Sequence, residues 1–430
     1  MEFKGPPFEL LIGDNKFQLE MFMTQEKSVS AMSMMFVVVG NMLGAGILAL
    51  PVNLCAAGFY PSVAATLLMW VLMTYTALIY SEQKSLTTNE HADLPTFFQQ
   101  ELGDAGKWVT IVANMIILYG VLVAYLCGIS AIIMSLQSTL SKPVVMVLYF
   151  ALVTGMTAFG MTMMKKCTPY MVTVMWITFG ALVFMVMPDV STSNLEKLDW
   201  TYIPAGLPVL LMAFHFHNII PSICRTLNHD RKKIRTAIIG GTTIGMVMNI
   251  VWLLVVLGAL PLSNPENHID LITAFGANDP ATIPLEKLLQ TPVFTYVALV
   301  FAVVAMSTAF MANGTALMSF MRDLTATHLG TKNKALVWSL SFIPPLMVGL
   351  IYPDIFLIAI NLVGGVGECI IFGILPGFIV WKYSPQGSFR KMTGIILIVC
   401  FAAVLLIELG QEFGLLHLSP NVEYWTHHTR

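Results

Sequence analysis

The chain is dominated by apolar windows of about twenty residues, each long enough to cross the hydrocarbon core of a bilayer as a helix. About eleven can be counted, over residues 30–57, 60–81, 108–137, 143–163, 168–188, 203–224, 236–260, 292–321, 335–352, 354–381 and 392–415. These windows make the chain an all-α integral membrane protein of about eleven transmembrane helices. Composition agrees: 57% of the residues are hydrophobic and 11% charged, where soluble domains carry about 25% charge.

The formal net charge of -2 conceals where the cations lie. With the N-terminus on the inner side, inner segments hold 18 of the 22 Lys and Arg residues, including Lys165-Lys166, Arg231-Lys232-Lys233 and Arg390-Lys391. Lys142, Lys197, Lys287 and Arg430 remain outside. Such asymmetry sets the orientation, N-terminus cytoplasmic and C-terminus outside. The expected division is an N-terminal segment 1–29, a first five-helix repeat 30–188, a second 203–381, an eleventh span 392–415 and a short outside tail 416–430. Residues 1–29 hold five acids and no continuous apolar run, so the first span is read as the insertion signal and no cleaved leader is expected. The six cysteines lie in or at the ends of spans, and no two are spaced like zinc ligands. Neither a disulfide nor a metal cluster is expected.

Two spans are ill suited to unbroken helices. In the first, Gly40-Asn41-Met42-Leu43-Gly44-Ala45-Gly46 places three glycines within seven residues, shortly before Pro51. Each glycine costs about 1 kcal/mol relative to alanine in a helix. An open backbone in lipid is tolerated only where its freed groups are buried in protein or line a cavity, so a break at this depth points to a binding site. Gly40 and Gly44 equally make a small-xxx-small packing face. In the sixth span, Ala213-Phe214-His215-Phe216-His217-Asn218 precedes Pro221, which removes the hydrogen bond to the His217 carbonyl. Paired breaks in spans one and six point to a transporter of two inverted five-helix repeats, with its substrate at the midplane.

Other features fit around this frame. Leu94 to Gly103 reads as a short amphipathic helix on the inner surface, and the loop from Pro261 to Thr291 as short helices capping an outer vestibule. Span three carries Tyr119, Tyr125 and Ser130, span eight Ser307, Thr308 and Asn313, and span ten Asn361, Gly364, Gly365, Gly367 and Glu368. Spans four and five read as scaffold, and Glu408 in span eleven carries no assigned role.

Several motifs are shared with known proteins. Gly44-Ala45-Gly46 with Ala49-Leu50-Pro51, Tyr75-Thr76-Ala77-Leu78 ending at Glu82, Leu118-Tyr119 with Ala124-Tyr125 and Gly128, Phe214 and Phe216-His217 leading to Ile220-Pro221-Ser222-Ile223 and Arg225, and Thr308 and Phe310 leading to Asp323 resemble the bacterial hydroxy/aromatic amino acid permease family. The resemblance covers roughly residues 30–415, and the span-six motif is its most specific part. It implies an eleven-helix fold similar to the leucine-transporter type and proton-coupled amino acid uptake across the bacterial inner membrane. The chain departs from the tyrosine and tryptophan permeases at His215, where glycine is usual, and at Glu368, an extra acid in span ten.

An amino acid needs donors for its carboxylate and acceptors for its ammonium. The half-helix beginning near Gly46 offers N–H groups and a positive dipole end. Carbonyls freed around Met42 and Leu43, and around Ala213 and Phe214, suit the ammonium. The candidate substrate residues are Met42, Leu43, Gly44, Ala45, Gly46, Tyr125, Phe214, His215, Phe216, His217 and Asn218. Tyr125 either bonds the carboxylate or a neighbouring helix, Phe214 and Phe216 line the pocket or fill the core, and His217 bonds substrate, relays a proton or is satisfied by backbone. For the coupling ion there are two candidates. Carbonyls of Gly40 and Leu43 with hydroxyls of Ser307 and Thr308 would hold Na+, unless the hydroxyls back-bond their own helix. Alternatively Glu368 would carry H+. Glu82 and Arg225 are expected to pair at an inner gate. The partners expected are an amino acid and the bilayer, with no nucleic acid and no cofactor, and the chain acting as a monomer. The alternatives are a serine or threonine permease of the same family, a non-transporting receptor, and an intramembrane enzyme using His215 and His217 as metal ligands; the last lacks the i, i+4 spacing of a helical zinc site.

Overall fold

The computed structural model describes residues 30–83, 94–136, 140–158, 160–331 and 333–418. The segment 1–29, the loop with Lys84, most of the tail 416–430 and the side chains of 158–169, Lys165-Lys166 among them, lie outside the described residues. Among the described residues every regular element is a helix. Nine helices there are long and apolar enough to cross a bilayer, the bent pair Ala31–Met42 and Ala45–Leu54 makes a tenth span, and Lys142–Thr157 is a shorter apolar helix.

Both expected breaks are present. Span one opens at Leu43–Gly44, where its halves Ala31–Met42 and Ala45–Leu54 bend by 54°. Pro51 lies inside the second half without ending it. Span six runs as Ile203–Ala213, loses helical form through Phe214, His215 and Phe216, makes one tight turn at His217–Ile219 and resumes as Ile220–Thr226. Pro221 sits in the first turn of that last helix, where a missing N–H is harmless.

Several boundaries differ from expectation. The surface helix is present but is continuous with span three in one element, Leu94–Leu136, interrupted only by Gly103 at φ 75°. A residue with a side chain resists that conformation, so Gly103 marks the bend. One helix ends at Ala158 and the next begins at Gly160, so Lys165-Lys166 lie within the helix Gly160–Val186 and not at its start. Methionine and lysine are good helix formers, and a basic pair alone does not end a helix. The loop after span seven does form two short helices, Leu271–Gly276 and Thr282–Leu289. The first packs onto the second half of span one, and just ahead of the second the Ala281 N–H donates to the Leu48 carbonyl at 3.0 Å.

Span ten holds the largest surprise. Between Phe356–Leu362 and Leu375–Tyr383 its backbone widens into a twelve-residue π-helix, Val363–Ile374. Such widening usually appears as a single turn and at functional sites. Glycines let neighbours press against it: a Cβ on Gly364 would stand 1.9 Å from the Pro208 carbonyl oxygen, and one on Gly373 2.0 Å from the Phe401 ring. Tyr80 of span two donates to the Ile371 carbonyl at 2.5 Å.

Gly364→Ala therefore collides with a backbone carbonyl, while Gly155 in span four has nothing of the described residues within 4 Å of its would-be Cβ. Thermal unfolding of the purified protein in detergent should show Gly364→Ala destabilised by about 1–3 kcal/mol and Gly155→Ala unchanged or stabilised by about 0.5–1 kcal/mol.

Candidate functional site

The two breaks stand side by side because residue 46 has no side chain. A Cβ there would lie 2.9 Å from the Met212 carbonyl oxygen and 3.0 Å from the nitrogen and Cα of Ala213. Gly44 is crowded from the other side, with the Ala309 methyl and the Tyr125 hydroxyl each 3.4 Å from its would-be Cβ. Spans one, three, six and eight thus converge on one point. The ten-residue half-helix Ala45–Leu54 begins here, with Gly44 as its N-cap and no side chain bonded to its first N–H groups. Those N–H groups, the helix dipole and the Tyr125 hydroxyl form one donor surface of the kind a carboxylate requires.

A chain of amides holds the breaks together. The Asn41 amide N–H groups donate to the His215 carbonyl at 3.2 Å and to Asn218 Oδ1 at 3.0 Å. Asn218 Nδ2 donates to Asn313 Oδ1 at 3.1 Å, and Asn313 Nδ2 donates to the Ala309 carbonyl at 3.0 Å. Asn249 of span seven donates to the Ala213 carbonyl at 3.4 Å. Backbone groups freed by the breaks are in this way bonded by side chains, as an apolar medium requires.

His215 and Glu368 form a pair at the centre. His215 Nδ1 lies 2.6 Å from Glu368 Oε1, and His215 Nε2 lies 3.3 Å from Asn313 Oδ1. Both residues are buried, Glu368 completely, and its second oxygen, Oε2, has no hydrogen-bond partner among the described residues. His217 points elsewhere: its Nε2 bonds the Thr76 hydroxyl at 2.9 Å and its ring stacks on Phe372 with centroids 4.5 Å apart. The two imidazoles therefore do not converge as metal ligands. Phe214 and Phe216 are wholly buried.

The other candidates fare differently. Thr308 donates to the Val304 carbonyl of its own helix at 2.7 Å, and Ser307 shares a hydrogen bond with Tyr149 at 3.2 Å. Gly40 abuts span five, its would-be Cβ 3.1 Å from Val172. Thr308 thus spends its hydroxyl hydrogen within its own helix, which leaves its oxygen lone pairs to face the expected cage with Gly40, Leu43 and Ser307. The expected Glu82–Arg225 pair is replaced: Arg390 and Arg235 reach the Glu82 carboxylate at 2.9 and 3.4 Å, because the end of span two faces the starts of spans seven and eleven. Asn41, Asn313, Thr76 and Phe372 were absent from the expected site, although two amides at bilayer depth are themselves a signal of function.

Comparison with known proteins is consistent with this geometry. Residues 27–409 match the model of the tryptophan/tyrosine permease family. A tyrosine-specific transport system of Haemophilus influenzae is 27% identical over 80% of this chain and 86% of its own length. A tryptophan-specific transport protein of the same organism is 25% identical over 91% and 98%. A glutamine transporter of Aliivibrio fischeri is 25% identical over 77% and 83%. Among solved structures, that of MhsT in complex with L-phenylalanine superposes with a TM-score of 0.61, covering 90% of this chain and 99% of MhsT at 13% identity. The fold is thus leucine-transporter-like.

Asn41→Leu keeps the bulk near the first break but deletes both amide bonds, leaving the His215 carbonyl and Asn218 Oδ1 short of a donor. A loss of about 1–3 kcal/mol in unfolding free energy is expected, read as a lower thermal midpoint of the purified protein.

Proposed function

Since the chain belongs to the tryptophan/tyrosine permease family, we propose that it is a secondary transporter importing an aromatic amino acid by proton symport. It sits in the bacterial inner membrane with its N-terminus cytoplasmic and its C-terminus outside, and works as a monomer. The substrate lies where the breaks of spans one and six meet. Its carboxylate takes the uncapped N–H groups after Gly44 together with the Tyr125 hydroxyl, and its ammonium takes carbonyls freed near Met42, Leu43 and Phe214. Alternating access moves the repeats 30–188 and 203–381 about this point.

The observation that carries this reading is the contact of the two breaks at Gly46, beside a half-helix whose first N–H groups no side chain caps. Such an arrangement in lipid has little structural use unless something fills it. The aromatic assignment follows the relatives named for tyrosine and tryptophan. Glu368 supports H+ as the driving ion, because an acid at this depth is expensive to retain without a functional return.

Uptake of labelled tyrosine, tryptophan, phenylalanine, glutamine, serine and threonine into proteoliposomes tests the reading, with inward H+ and inward Na+ gradients imposed separately. Concentrative uptake of an aromatic under the H+ gradient alone is expected. Accumulation of serine or threonine overturns the substrate, a requirement for Na+ overturns the ion, and binding without uptake under either gradient makes the chain a receptor.

A further inference from the structure

We propose that His215 and Glu368 hold one proton between them, that Asn313 enforces this by fixing the tautomer of the imidazole, and that the shared proton clasps span six to span ten. The inference rests on the proton-symport reading and assigns the coupling to a pair where that reading has a single acid.

The argument starts from which way the amides point. Asn313 Nδ2 faces the Ala309 carbonyl, which can only accept, so Oδ1 is the atom turned toward His215 and Asn218. At the other end of the chain of amides, the Asn41 N–H groups face the His215 carbonyl, so that orientation is pinned as well. His215 Nε2 must therefore donate to Asn313 Oδ1. A neutral imidazole carries one N–H, and here it is spent on Asn313. Nδ1 is left with a lone pair, 2.6 Å from a carboxylate oxygen.

Two lone pairs cannot hold that distance. The contact needs one more proton, on Nδ1 as imidazolium against carboxylate or on Oε1 as carboxylic acid against imidazole. Moving the Nε2 proton to Nδ1 does not help, because it leaves the Nε2 lone pair against Asn313 Oδ1. Loading the pair forms one N–H or O–H bond and breaks one in the water that delivers the proton. The loaded pair has no net charge, and the unloaded pair has one negative charge among apolar neighbours, where an unpaired charge is costly. The other ionisable groups facing the pair are Tyr125 of span three, His217 of span six and Cys369 of span ten. Glu408 of span eleven lies against Gly365, three residues from Glu368.

The clasp is tied to the substrate site through the backbone of one residue. The His215 ring meets span ten while its carbonyl is held by Asn41 at the break of span one. Closing the clasp places the span-six break against the N-terminus of Ala45–Leu54, so substrate and proton favour each other's binding by the same factor. Substrate affinity is then high while the pair is loaded, and it falls as pH rises through the point where the pair unloads, by about tenfold per pH unit for one linked proton.

The experiment uses the full chain in proteoliposomes with a pH-sensitive dye, with L-tyrosine and L-tryptophan as probes, and measures substrate affinity across pH. The wild-type protein is expected to take up protons when either probe is added and to show the falling affinity profile. In Glu368→Gln an amide N–H donates to Nδ1 without a shared proton, so substrate-induced proton uptake is lost and the affinity profile flattens, while counterflow remains measurable. In Asn313→Ala the imidazole is free to place its own N–H on Nδ1 toward the carboxylate, so affinity persists at high pH. Glu368→Asp keeps a titrating acid and so keeps the pH dependence, and it serves with Asn313→Ala if Glu368→Gln fails to fold by thermal unfolding. Wild-type proton uptake in Glu368→Gln, or an unshifted pH profile in Asn313→Ala, overturns the shared-proton clasp. A wild-type protein that accumulates the probes without moving protons overturns the symport reading itself, a result distinguishable because it appears before any variant is made.

Discussion

A backbone opened in the middle of a bilayer has no water to bond, and each group left bare there costs several kcal/mol. The arrangement around the site follows from meeting that demand. Asn41 and Asn249 take carbonyls exposed at the break of span six, Tyr80 takes a carbonyl of the widened span ten, and Ala281 reaches in from the cap to take the Leu48 carbonyl. What remains unbonded is correspondingly informative. The first N–H groups after Gly44 have no side-chain cap, and Glu368 Oε2 has no partner among the described residues. One is suited to an anion and the other to a donor, and the two lie within a few side chains of each other.

Close approach is the second condition. Amides are short, and they bridge two spans only where the backbones nearly touch. Gly46 against Met212 and Ala213 brings the two breaks together, and Gly364 against Pro208 brings span ten onto span six. Gly367 admits the Ala113 carbonyl and Ile117 of span three. The glycines that weaken these helices locally are thus what allow the polar network to form. Around that network the walls are aromatic, with Phe214, Phe216, Phe310 and Phe342 fully buried. A charge or amide so enclosed interacts more strongly than it would in water.

Much of this was legible in the sequence, where the signal was local. Runs of apolar residues marked the spans, the glycine cluster and Pro221 marked the two breaks, and Pro and Gly around residues 94–103 and 261–291 marked the short helices. The site was legible in part. Gly46 packs against Met212 and Ala213, just before the stretch from Phe214 to Asn218, Asn41 beside Met42 bonds Asn218, and Tyr125 stands against Gly44. Tertiary contacts were not legible. Glu82 and Arg225 end their spans at matched depth, but depth does not fix which helices are neighbours, and two other arginines stand nearer. Thr308 has a carbonyl four residues back in its own helix that is always within reach, and its hydroxyl hydrogen goes there. The π-helix depends on what presses against its glycines, which no single stretch of sequence records. Asn41 lay inside the glycine cluster, where an amide at bilayer depth is a signal of function, yet nothing local named its partners 174 and 177 residues away.

The two ends of the bundle are closed by different chemistry. At the end where the second half of span one lies, Asn361 donates to Asn53 Oδ1 at 2.9 Å, the cap bonds Leu48, and every residue of Ala45–Leu54 is buried. At the basic end, Glu82 is held by Arg390 and Arg235 through side chains that are about half exposed. Ion pairs in water are each worth under about 1 kcal/mol and weaken with salt. Breaking the amide closure instead strands polar groups that water does not reach, at about 1–3 kcal/mol for each. The ion pairs on Glu82 therefore break at lower cost than the amide bond between Asn361 and Asn53, and the clasp between His215 and Glu368, which lies between the two ends, is placed where a proton can decide when span six is released from span ten.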